Sequence, residues 1–426
     1  MFKGLTQFIL RKLASAALRK YRPIIIGVTG NMGKTSAKEA IFAVLNEKYK
    51  TRRNIKNYNN EIGVPLTILG LESGGRSPFK WLANIFRALN LIYSENEYPE
   101  VLVLEMGADK PGDIKYLMSF IDCKIGVITG IGDIPVHIEF FKSPEQVARE
   151  KSKLIGFLKE DDFAVLNFDD ERVRNLTDKT KAKILSYGFS DTAKVRATNY
   201  ALDIVLDPES AGASFKVEYN GKTIPFKKEG ILGQHQIYAL LAGISVGLAM
   251  GMNLIEVLEG FKKYQPPKGR MKLLEGIKNT WIIDDTYNAS PSATSAALET
   301  LFKFEGRRKI AVLGDMLELG EFMEKAHRLV GEKSAQNSDL FFAVGERMKF
   351  AADEAHLKGM SSQKIFTFDT AQAAKMALQM TIQKGDIILV KGSQGMRMEK
   401  IVEEIMAHPE NAKELLVRQE EGWRGR

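Results

Sequence analysis

The sequence has almost no cysteine, since Cys123 is the only one in 426 residues. A single thiol cannot form an internal disulfide, and it cannot build a thiolate metal site by itself. The chain also lacks an unbroken apolar run of the roughly 18 to 20 residues that a membrane-spanning helix requires. These absences favour a globular protein of a reducing compartment, for which the cytoplasm is the default expectation.

Long blocks of like charge are missing as well. Lys and Arg number 61 against 53 Asp and Glu, and the resulting net charge of +8 is scattered along the chain. Without a basic face interleaved with aromatic residues, or a nucleic-acid motif, a polyanion-binding module has little support and we expect no nucleic-acid partner. Scattered positive charge also suits an enzyme that acts on anionic substrates.

What the sequence does contain is a regular alternation of short apolar runs with helical patterns. This alternation is typical of an α/β protein whose parallel sheets are covered by helices on both faces. The expected strands of the first half are "PIIIGVTG", "VLVLEMG", "KIGVITG" and "FAVLNFDD". Those of the second half are "WIIDD", "KIAVLGD", "LFFAVG", "KIFTF" and "DIILVKG".

Two changes of pattern predict the domain organisation. Between residues 192 and 228 the residues alternate in polarity around the hairpin signal Asn220-Gly221, which predicts an antiparallel flap. The helical stretch "HQIYALLAGISVGLAMGM" follows, and then "YQPPKGR" is the expected linker, because paired prolines stop a helix. We therefore expect an N-terminal helix at 1–22, a parallel-sheet domain with the flap at 23–267, and a second doubly wound domain at 268–426.

The N-terminal stretch, "MFKGLTQFILRKLASAALRKYRP", reads as a basic amphipathic helix without acidic residues. Its spacing predicts one apolar side, formed by Phe2, Leu5, Ile9, Leu13 and Ala17. Packing against its own domain is the ordinary use of such a helix. Contact with an anionic membrane surface, or with a partner subunit, is the alternative.

The stretch "GVTGNMGKTS" joins an expected strand to an expected helix. A glycine-rich turn there lets backbone N–H groups face phosphate oxygens, while Lys34 reaches the terminal phosphates and Thr35 binds Mg²⁺. The usual pattern has glycine where this chain has Val28. The expected nucleotide-binding residues are Gly30, Asn31, Met32, Gly33, Lys34, Thr35 and Ser36.

Two further residues lie at or just after the carboxyl ends of expected strands, where sheets of this kind bind ligands. Glu105 ends the strand "VLVLEMG" and is the expected carboxylate ligand of the metal, since ligand sites lie beyond the strand ends. His137 follows the next strand in "VHIEFF", and by itself it would more often be a surface or hydrogen-bonded residue.

Longer motifs resemble the Mur ligase family across residues 22 to 410. They occur in the family's order: "GVTGNMGKTS", "NYNNEIGVPLTIL", "LEMGADKPGDI", "SPEQVAREKSKL", "AVLNFDD", "PPKGRM", "DDTYNASPSA", "VLGDMLELG" and "LVKGSQGMRME". The chain is most similar to members that add D-alanyl-D-alanine to a UDP-N-acetylmuramoyl tripeptide. The resemblance implies a P-loop ATPase domain followed by a Rossmann-like C-terminal domain.

The resemblance also implies a mechanism. ATP would phosphorylate a carboxylate of a cell-wall precursor peptide, and D-alanyl-D-alanine or a similar amine would attack the acyl phosphate. The implied catalytic residues are Lys34, Glu105, His137 and Lys151. One or two Mg²⁺ ions would be held by Thr35, Glu105, His137 and Lys151, the last as a carbamate, with Lys153 as an alternative. For either lysine the other possibility is a solvated helix face.

Other residues take their expected roles from the same resemblance. Gln236, Arg270 and Asp285 would contact the nucleotide. Substrate contacts would come from Asn57, Asn60, Asn288, Lys391 and Ser393. Asp284 or Asn288 could instead cap the helix that begins at "PSATSAALETL", a common structural use.

Two departures from the family pattern limit what the resemblance implies. In "HQIYA", Gln236 and Ala239 stand where the family has two asparagines, so the adenine contacts are in question. Only about 22 residues precede the first strand, so we expect the usual UDP-sugar-binding domain to be missing. A ligase acting on polyglutamate or lipid-linked cell-wall material, and a regulatory P-loop ATPase without ligase activity, therefore stay open.

Overall fold

Two helix-covered β-sheets make up the fold. A computed structural model describes residues 2–55, 58–135, 138–204, 207, 210–420 and 423. Within those residues, no helix is long and apolar enough to cross a membrane. The α/β class and all nine strands expected from the apolar runs are confirmed.

The first sheet has the strand order β2-β3-β1-β4-β5-β6-β7-β8-β9 in the described chain. It is parallel from β2 to β7, and β8 and β9 extend it as the antiparallel flap, with Asn220 and Gly221 at positive φ in the turn. Its strands are β1 (Ile24–Thr29), β2 (Thr51–Arg53), β3 (Val101–Glu105), β4 (Ile125–Ile128), β5 (Phe163–Asn167), β6 (Lys183–Gly188), β7 (Val195–Asp203), β8 (Gly212–Tyr219) and β9 (Lys222–Glu229).

The second sheet has the order β10-β11-β15-β12-β13-β14 in the part of the chain that the structure describes. Only the β10–β11 pair is antiparallel there, as in a Rossmann-like sheet with one reversed edge strand. Its strands are β10 (Lys272–Gly276), β11 (Thr280–Asp285), β12 (Lys309–Gly314), β13 (Leu340–Val344), β14 (Ile365–Phe368) and β15 (Ile387–Lys391).

Helices cover both faces of the two sheets. Apolar side chains of helices and strands form the cores; the first sheet's larger core includes Val44 of α2, Ile244 of α8 and Val103 of β3. The helices are α1 (Phe2–Tyr21), α2 (Lys34–Leu45), α3 (Gly63–Leu69), α4 (Pro78–Tyr93), α5 (Asp113–Met118), α6 (Pro144–Gly156), α7 (Glu171–Arg174), α8 (Gln234–Ala249), α9 (Leu254–Gly260), α10 (Pro291–Phe302), α11 (Met323–Asn337), α12 (Met348–Leu357), α13 (Ala371–Thr381), α14 (Glu399–Ile405) and α15 (Ala412–Leu415).

Helix α1 packs against α3 and α4 of the same chain, and the side that it buries differs from the predicted one. Its buried residues are Leu10, Ala14, Ala17 and Leu18, whereas Leu5 is exposed and Ile9 and Leu13 are half-buried. The prediction of the apolar side was therefore wrong for Leu5. Ala14 and Ala17 form half of the buried stripe and let α1 approach its neighbours closely, while Leu5 faces outward.

Strand register brings distant residues of the sequence together. Val28 of β1 pairs with Glu105 of β3, so the loop after β1 meets the carboxylate that ends β3. In the second sheet, Asp285 of β11 pairs with Lys391 of β15. Parallel strands share one carboxyl edge, and both juxtapositions lie at that edge.

Candidate active site at the strand ends

The loop between β1 and α2 is locked against β4 by its glycines. Gly30 has φ 147°, and a Cβ there would lie 2.1 Å from Thr129 Oγ1, so no larger residue fits. Thr129 Oγ1 donates to Met32 O at 2.6 Å, and Asn31 N donates to Gly130 O at 2.6 Å. The loop therefore ends with Gly33 at the N-terminus of α2, where backbone N–H groups and the helix dipole favour an anion.

The predicted metal ligands of the first site are in contact. Thr35 Oγ1 donates to Glu105 Oε2 at 3.0 Å, and Asn59 Nδ2 donates to Glu105 Oε1 at 3.1 Å. Lys38 Nζ lies 3.7 Å from Glu105 Oε2 and donates to Asn54 O at 3.0 Å. A hydroxyl and a buried carboxylate in contact are oxygen ligands that suit Mg²⁺.

Lys34 begins α2 and shares an electrostatic environment with Lys151 of α6. Loss of hydration lowers the pKa of Lys34, while the Glu105 carboxylate acts in the opposite direction. Burial lowers the pKa of Lys151 to about 7, and the Lys34 charge adds to this effect against the carboxylates of Asp109, Glu150 and Asp113. The site thus holds two lysines whose charged forms are disfavoured.

The two lysines of α6 occupy different environments. Lys151 is only 1% exposed, so it is not on a solvated helix face. Lys153 is partly exposed, and its ammonium pairs with Glu150, whose other oxygen accepts from Ile114 N at 3.0 Å. Because residues two apart on a helix point in different directions, only Lys151 faces the site.

A cavity of about 450 Å³ extends from the phosphate loop to the second sheet. Met32, Gly33 and Ser36 line it on one side, and Arg270 and Asp285 line it on the other. Ser292 of α10 also reaches Met32, with its Oγ 3.8 Å from the sulfur. The cavity therefore lies where the two sheet regions meet.

The first turn of α8 supplies polar atoms to this cavity. Gln236 Nε2 donates to Arg270 O at 2.7 Å, while Gln236 Oε1 is buried without a protein hydrogen-bond partner. His235 Nδ1 is likewise buried and without such a partner, and burial lowers the pKa of this histidine to about 4. These buried atoms can therefore form hydrogen bonds with a polar ligand in the cavity.

The second sheet contributes a buried ion pair. Lys391 Nζ lies 2.5 Å from Asp285 Oδ2 and donates to Asn288 O at 3.0 Å. The Arg270 guanidinium lies 4.1 Å from the centre of the Tyr287 ring. Ser393 lies further along the same loop, where its Oγ accepts from Leu317 N at 2.9 Å.

Neither residue proposed as an alternative cap begins α10. Ser290 is its N-cap, since the Ser290 side chain accepts from Ala293 N. Asp284 instead accepts from the Thr286 hydroxyl at 2.6 Å, and burial raises the pKa of Asp284 to about 6. Both capping alternatives are therefore wrong.

A second cavity, of about 300 Å³, lies beside Glu105. Gln7 of α1, Asn59, Lys110 and Asn60 are among its lining residues. Asn60 Oδ1 accepts from Gly63 N at 2.9 Å at the start of α3, so part of its polar capacity has a structural use. Asn59 lines the cavity and also binds Glu105, which links this cavity to the phosphate loop.

Two predicted residues, His137 and Asn57, lie outside the described residues. Across the described ranges, no group of three or more His, Cys, Asp and Glu side chains is placed to hold a metal ion. The predictions for these two residues stay predictions.

Sequence reasoning missed several residues that support the site. The Asn54 side-chain amide exchanges hydrogen bonds with the Glu105 backbone: Asn54 Oδ1 accepts from Glu105 N at 2.6 Å, and Asn54 Nδ2 donates to Glu105 O at 3.3 Å. Asp169 accepts from the Tyr238 hydroxyl at 2.9 Å on the cavity wall, and Asp170 accepts from Gly132 N at 2.9 Å. The acidic pair that ends "FAVLNFDD" could have pointed to Asp169 and Asp170, because acidic residues at strand ends bind neighbouring loops as well as ligands.

Comparison with known proteins agrees with this geometry. Residues 82–247 match the Mur ligase middle domain, and residues 269–394 match the Mur ligase glutamate ligase domain. The UDP-N-acetylmuramoyl-tripeptide–D-alanyl-D-alanine ligase of Bacillus subtilis is 30% identical over 402 residues, which cover 94% of this chain and 79% of that protein.

Solved structures share the fold. The MurF ligase of Thermotoga maritima in complex with ADP has a TM-score of 0.75 and 25% identity, over 93% of this chain and 83% of that one. A MurF structure from Acinetobacter baumannii has a TM-score of 0.76 and 24% identity, over 93% and 79% of the two chains, and shows the common fold. With the relative from B. subtilis and both domain matches, the chain belongs to the Mur ligase family.

Proposed function

We propose that this protein is an ATP-dependent ligase that joins D-alanyl-D-alanine, or a similar amine, to a carboxylate of a cell-wall precursor peptide. The carboxylate oxygen attacks the γ-phosphorus of ATP, the bond to ADP breaks, and an acyl phosphate forms. The amine nitrogen then attacks the acyl carbon, phosphate leaves with the bonding electrons, and the amine releases a proton. The relative in B. subtilis bears the name of this activity, which supports the assignment.

The observation that carries the proposal is the cavity lined by both sheet regions. A phosphate loop alone would serve a switch or a motor equally well. Here Arg270 and Asp285 face the loop across one cavity of about 450 Å³. A site built from two units can exclude water when they close, which an acyl phosphate requires because it hydrolyses readily.

ATP fits the residues that line the cavity. The loop from Gly30 to Gly33 would hold the phosphates through backbone N–H groups, and Lys34 would neutralise charge that develops on the transferred group. The unpartnered Gln236 Oε1 would accept a hydrogen bond from the base, although asparagines stand there in the family pattern. The ADP in the T. maritima structure supports this choice of nucleotide.

We propose that Thr35 and Glu105 hold one Mg²⁺, because their oxygens are in contact at 3.0 Å beside Lys34. The ion would withdraw electron density from the phosphate oxygens. Asn59 and Asn54 orient the Glu105 carboxylate through its side chain and backbone. These amides would keep the carboxylate facing Thr35.

We propose that Lys151 carries the carbamate, which with His137 would hold a second Mg²⁺. CO₂ adds only to a neutral amine, and a lysine whose pKa falls to about 7 is more than half neutral above that pH. Lys153 is a poorer choice, because its ammonium is paired with Glu150. Carbamate formation would replace a disfavoured buried cation with an anion beside the Lys34 charge.

We further propose that the acceptor peptide binds in the cavity of about 300 Å³ beside Glu105. Asn60 with Asn57 would supply amide contacts, and Lys110 would meet the peptide beside the lining carboxylates of Glu61, Asp109 and Asp113. On the opposite side of the reacting centre, Asn288, Lys391 and Ser393 would approach the incoming amine. Contact of α1 with a membrane surface or a partner subunit also remains a proposal.

The test measures ADP release and product mass together. The purified protein is given ATP, Mg²⁺ and a panel of carboxyl acceptors, with and without D-alanyl-D-alanine, and products are identified by mass spectrometry. We expect ADP release to require an acceptor and the amide to form only with the amine present. ATP turnover that requires neither the acceptor nor the amine would instead identify a regulatory ATPase. An amide formed with glutamate alone would identify a polyglutamate ligase.

A further inference from the structure

Helix α4 carries a continuous stripe of exposed large apolar side chains. Phe79 is 82% exposed, Phe86 is 63% exposed and Tyr93 is 83% exposed, and Leu82 lies between the first two. Their spacing of three, four and seven residues places them on one side of the helix. No other helix of the described chain carries more than two of the exposed large apolar residues; Leu357 lies on α12, and Met376 and Met380 lie on α13. A stripe of this kind on a surface helix marks a contact with something apolar.

Helix α1 packs against α4, the helix that carries this stripe. Lys20 Nζ donates to Leu91 O at 3.1 Å, and the Tyr21 hydroxyl donates to the same oxygen at 2.7 Å, which fastens α1 to α4. Leu5 and Phe8 of α1 are also more than half exposed. We name the combined surface the α1–α4 face; it consists of Leu5, Phe8, Lys12 and Arg19 together with Phe79, Leu82, Phe86 and Tyr93.

The charge of these two helices has one sign. In the chain as a whole about one residue in eight is acidic, yet neither α1 nor α4 contains Asp or Glu. Their basic residues are Lys3, Arg11, Lys12, Arg19, Lys20, Lys80 and Arg87. Glu95 and Glu97 follow α4 at one end, and Glu97 is paired with Lys50.

A basic groove runs along α1 beside the exposed apolar residues. It encloses about 700 Å³ and is lined by Arg11, Lys12, Arg19 and Arg22, with Phe8 at its edge. Among its described lining residues Asp122 is the one acid, and it is paired with Lys159 at 2.9 Å. Apolar side chains flanked by unneutralised cations are complementary to the headgroup region of an anionic bilayer.

We infer that the α1–α4 face docks on the surface of an anionic membrane, with the aromatic side chains of α4 inserted among the lipids and the basic groove of α1 against phosphate headgroups. A second copy of the chain fits less well, because a two-fold interface would place the same basic surface against itself. Docking would hold the ligase beside membrane-bound material without a spanning helix. This inference goes beyond the proposed amide-forming reaction and does not depend on it.

The test is flotation of the full chain with vesicles of phosphatidylcholine, alone or mixed with phosphatidylglycerol. We expect binding to the mixed vesicles that weakens with salt, and little binding to phosphatidylcholine alone. Phe79→Ser with Phe86→Ser should weaken binding at least about tenfold, and so should Arg11→Gln with Lys12→Gln and Arg19→Gln. Soluble inorganic phosphate offers the charge of a headgroup but no apolar surface, so any binding of phosphate should not depend on Phe79 and Phe86.

Matched controls test whether vesicle binding requires this face or only exposed apolar residues and positive charge anywhere on the protein. Leu357→Ser with Met380→Ser removes exposed apolar residues elsewhere, and Lys216→Gln with Lys222→Gln and Lys384→Gln removes as many cations; both should leave binding within about twofold. ATP turnover of every variant in solution should match the parent chain. Equal binding to both vesicle types, or equal losses in the controls, would overturn the inference. The inference would also be overturned if the parent chain did not bind vesicles but sedimented as a dimer that Phe86→Ser dissociates.

Discussion

Asp285 and Lys391 form an ion pair of 2.5 Å in which both side chains are almost fully buried. They come from neighbouring parallel strands, in direct register at the ends of β11 and β15. Burial lowers the pKa of Lys391, while the Asp285 carboxylate opposes that change. The pair therefore fixes the second sheet's side of the cavity, and it makes that side sensitive to the loss of either charge.

Asp285→Asn should destabilise the protein by roughly 3–5 kcal/mol, because it leaves the Lys391 ammonium buried without its carboxylate. Equilibrium unfolding in urea measures this change. Asp203→Asn is the control, since it breaks the more exposed Asp203–Lys227 contact of 3.2 Å and should cost less than about 1 kcal/mol. Equal destabilisation by both substitutions would show that burial of the Asp285–Lys391 pair has no energetic consequence.

Lys34→Ala should reduce ligation by about a thousandfold or more and leave the fold intact, because this half-buried lysine acts as a positioned charge beside the phosphate loop. Amide formation and thermal unfolding are measured on the same preparation. Lys48→Ala, at an exposed position beyond α2, is expected to behave like the parent chain. Near-normal product formation by the Lys34 variant would remove this lysine from the proposed site.

Lys151→Ala should abolish ligation, whereas Lys153→Ala, two positions along α6, should retain most of it. The first substitution removes the buried amine that would carry the carbamate, and the second removes the partner of Glu150. Short carboxylic acids are expected to restore part of the activity of the Lys151 variant only, since they can occupy the space of the lost carbamate. Full activity of that variant without rescue would mean that Lys151 is not a ligand.

The contact between Thr35 and Glu105 could be predicted from the sequence, because Glu105 ends one apolar run and Thr35 follows the glycine-rich turn that ends another, and both runs read as parallel strands. Parallel strands share a carboxyl edge, so the pattern alone brings the two side chains to one place. The choice between Lys151 and Lys153 could not be predicted in this way. Both lie on one short helix, and only the packing of α6 against the sheet decides which lysine is buried.

The surface of α1 was hard to predict for a related reason. Apolar periodicity identifies the most hydrophobic side of a helix. The side that α1 buries depends instead on how closely α1 approaches α3 and α4, and close approach favours small residues such as Ala14 and Ala17. Leu5 was assigned to the buried side and is exposed instead. The exposed stripe of α4 follows the same 3.6-residue period as a buried one, so the sequence does not distinguish a core contact from a docking surface.

The stability of the protein in acid should depend on His235. In the folded protein burial lowers the pKa of His235 from 6.5 to about 4, and the nearby Lys391 and Arg270 charges act in the same direction against Asp285. The unfolded chain therefore binds this proton more readily than the folded protein does. The associated stability is complete above pH 6.5 and is lost as the pH falls towards 4.

Between these limits His235 should account for roughly 2–3 kcal/mol of the acid-induced loss of stability. His235→Gln cannot titrate, so its free energy of unfolding should fall less steeply from pH 7 to pH 4 than that of the parent chain. His356→Gln, at an exposed position on α12, is the control for removing a histidine elsewhere. Urea unfolding at a series of pH values gives all three slopes. Parallel curves for the parent chain and the His235 variant would contradict the lowered pKa, because a histidine with the same pKa in both states contributes no pH dependence.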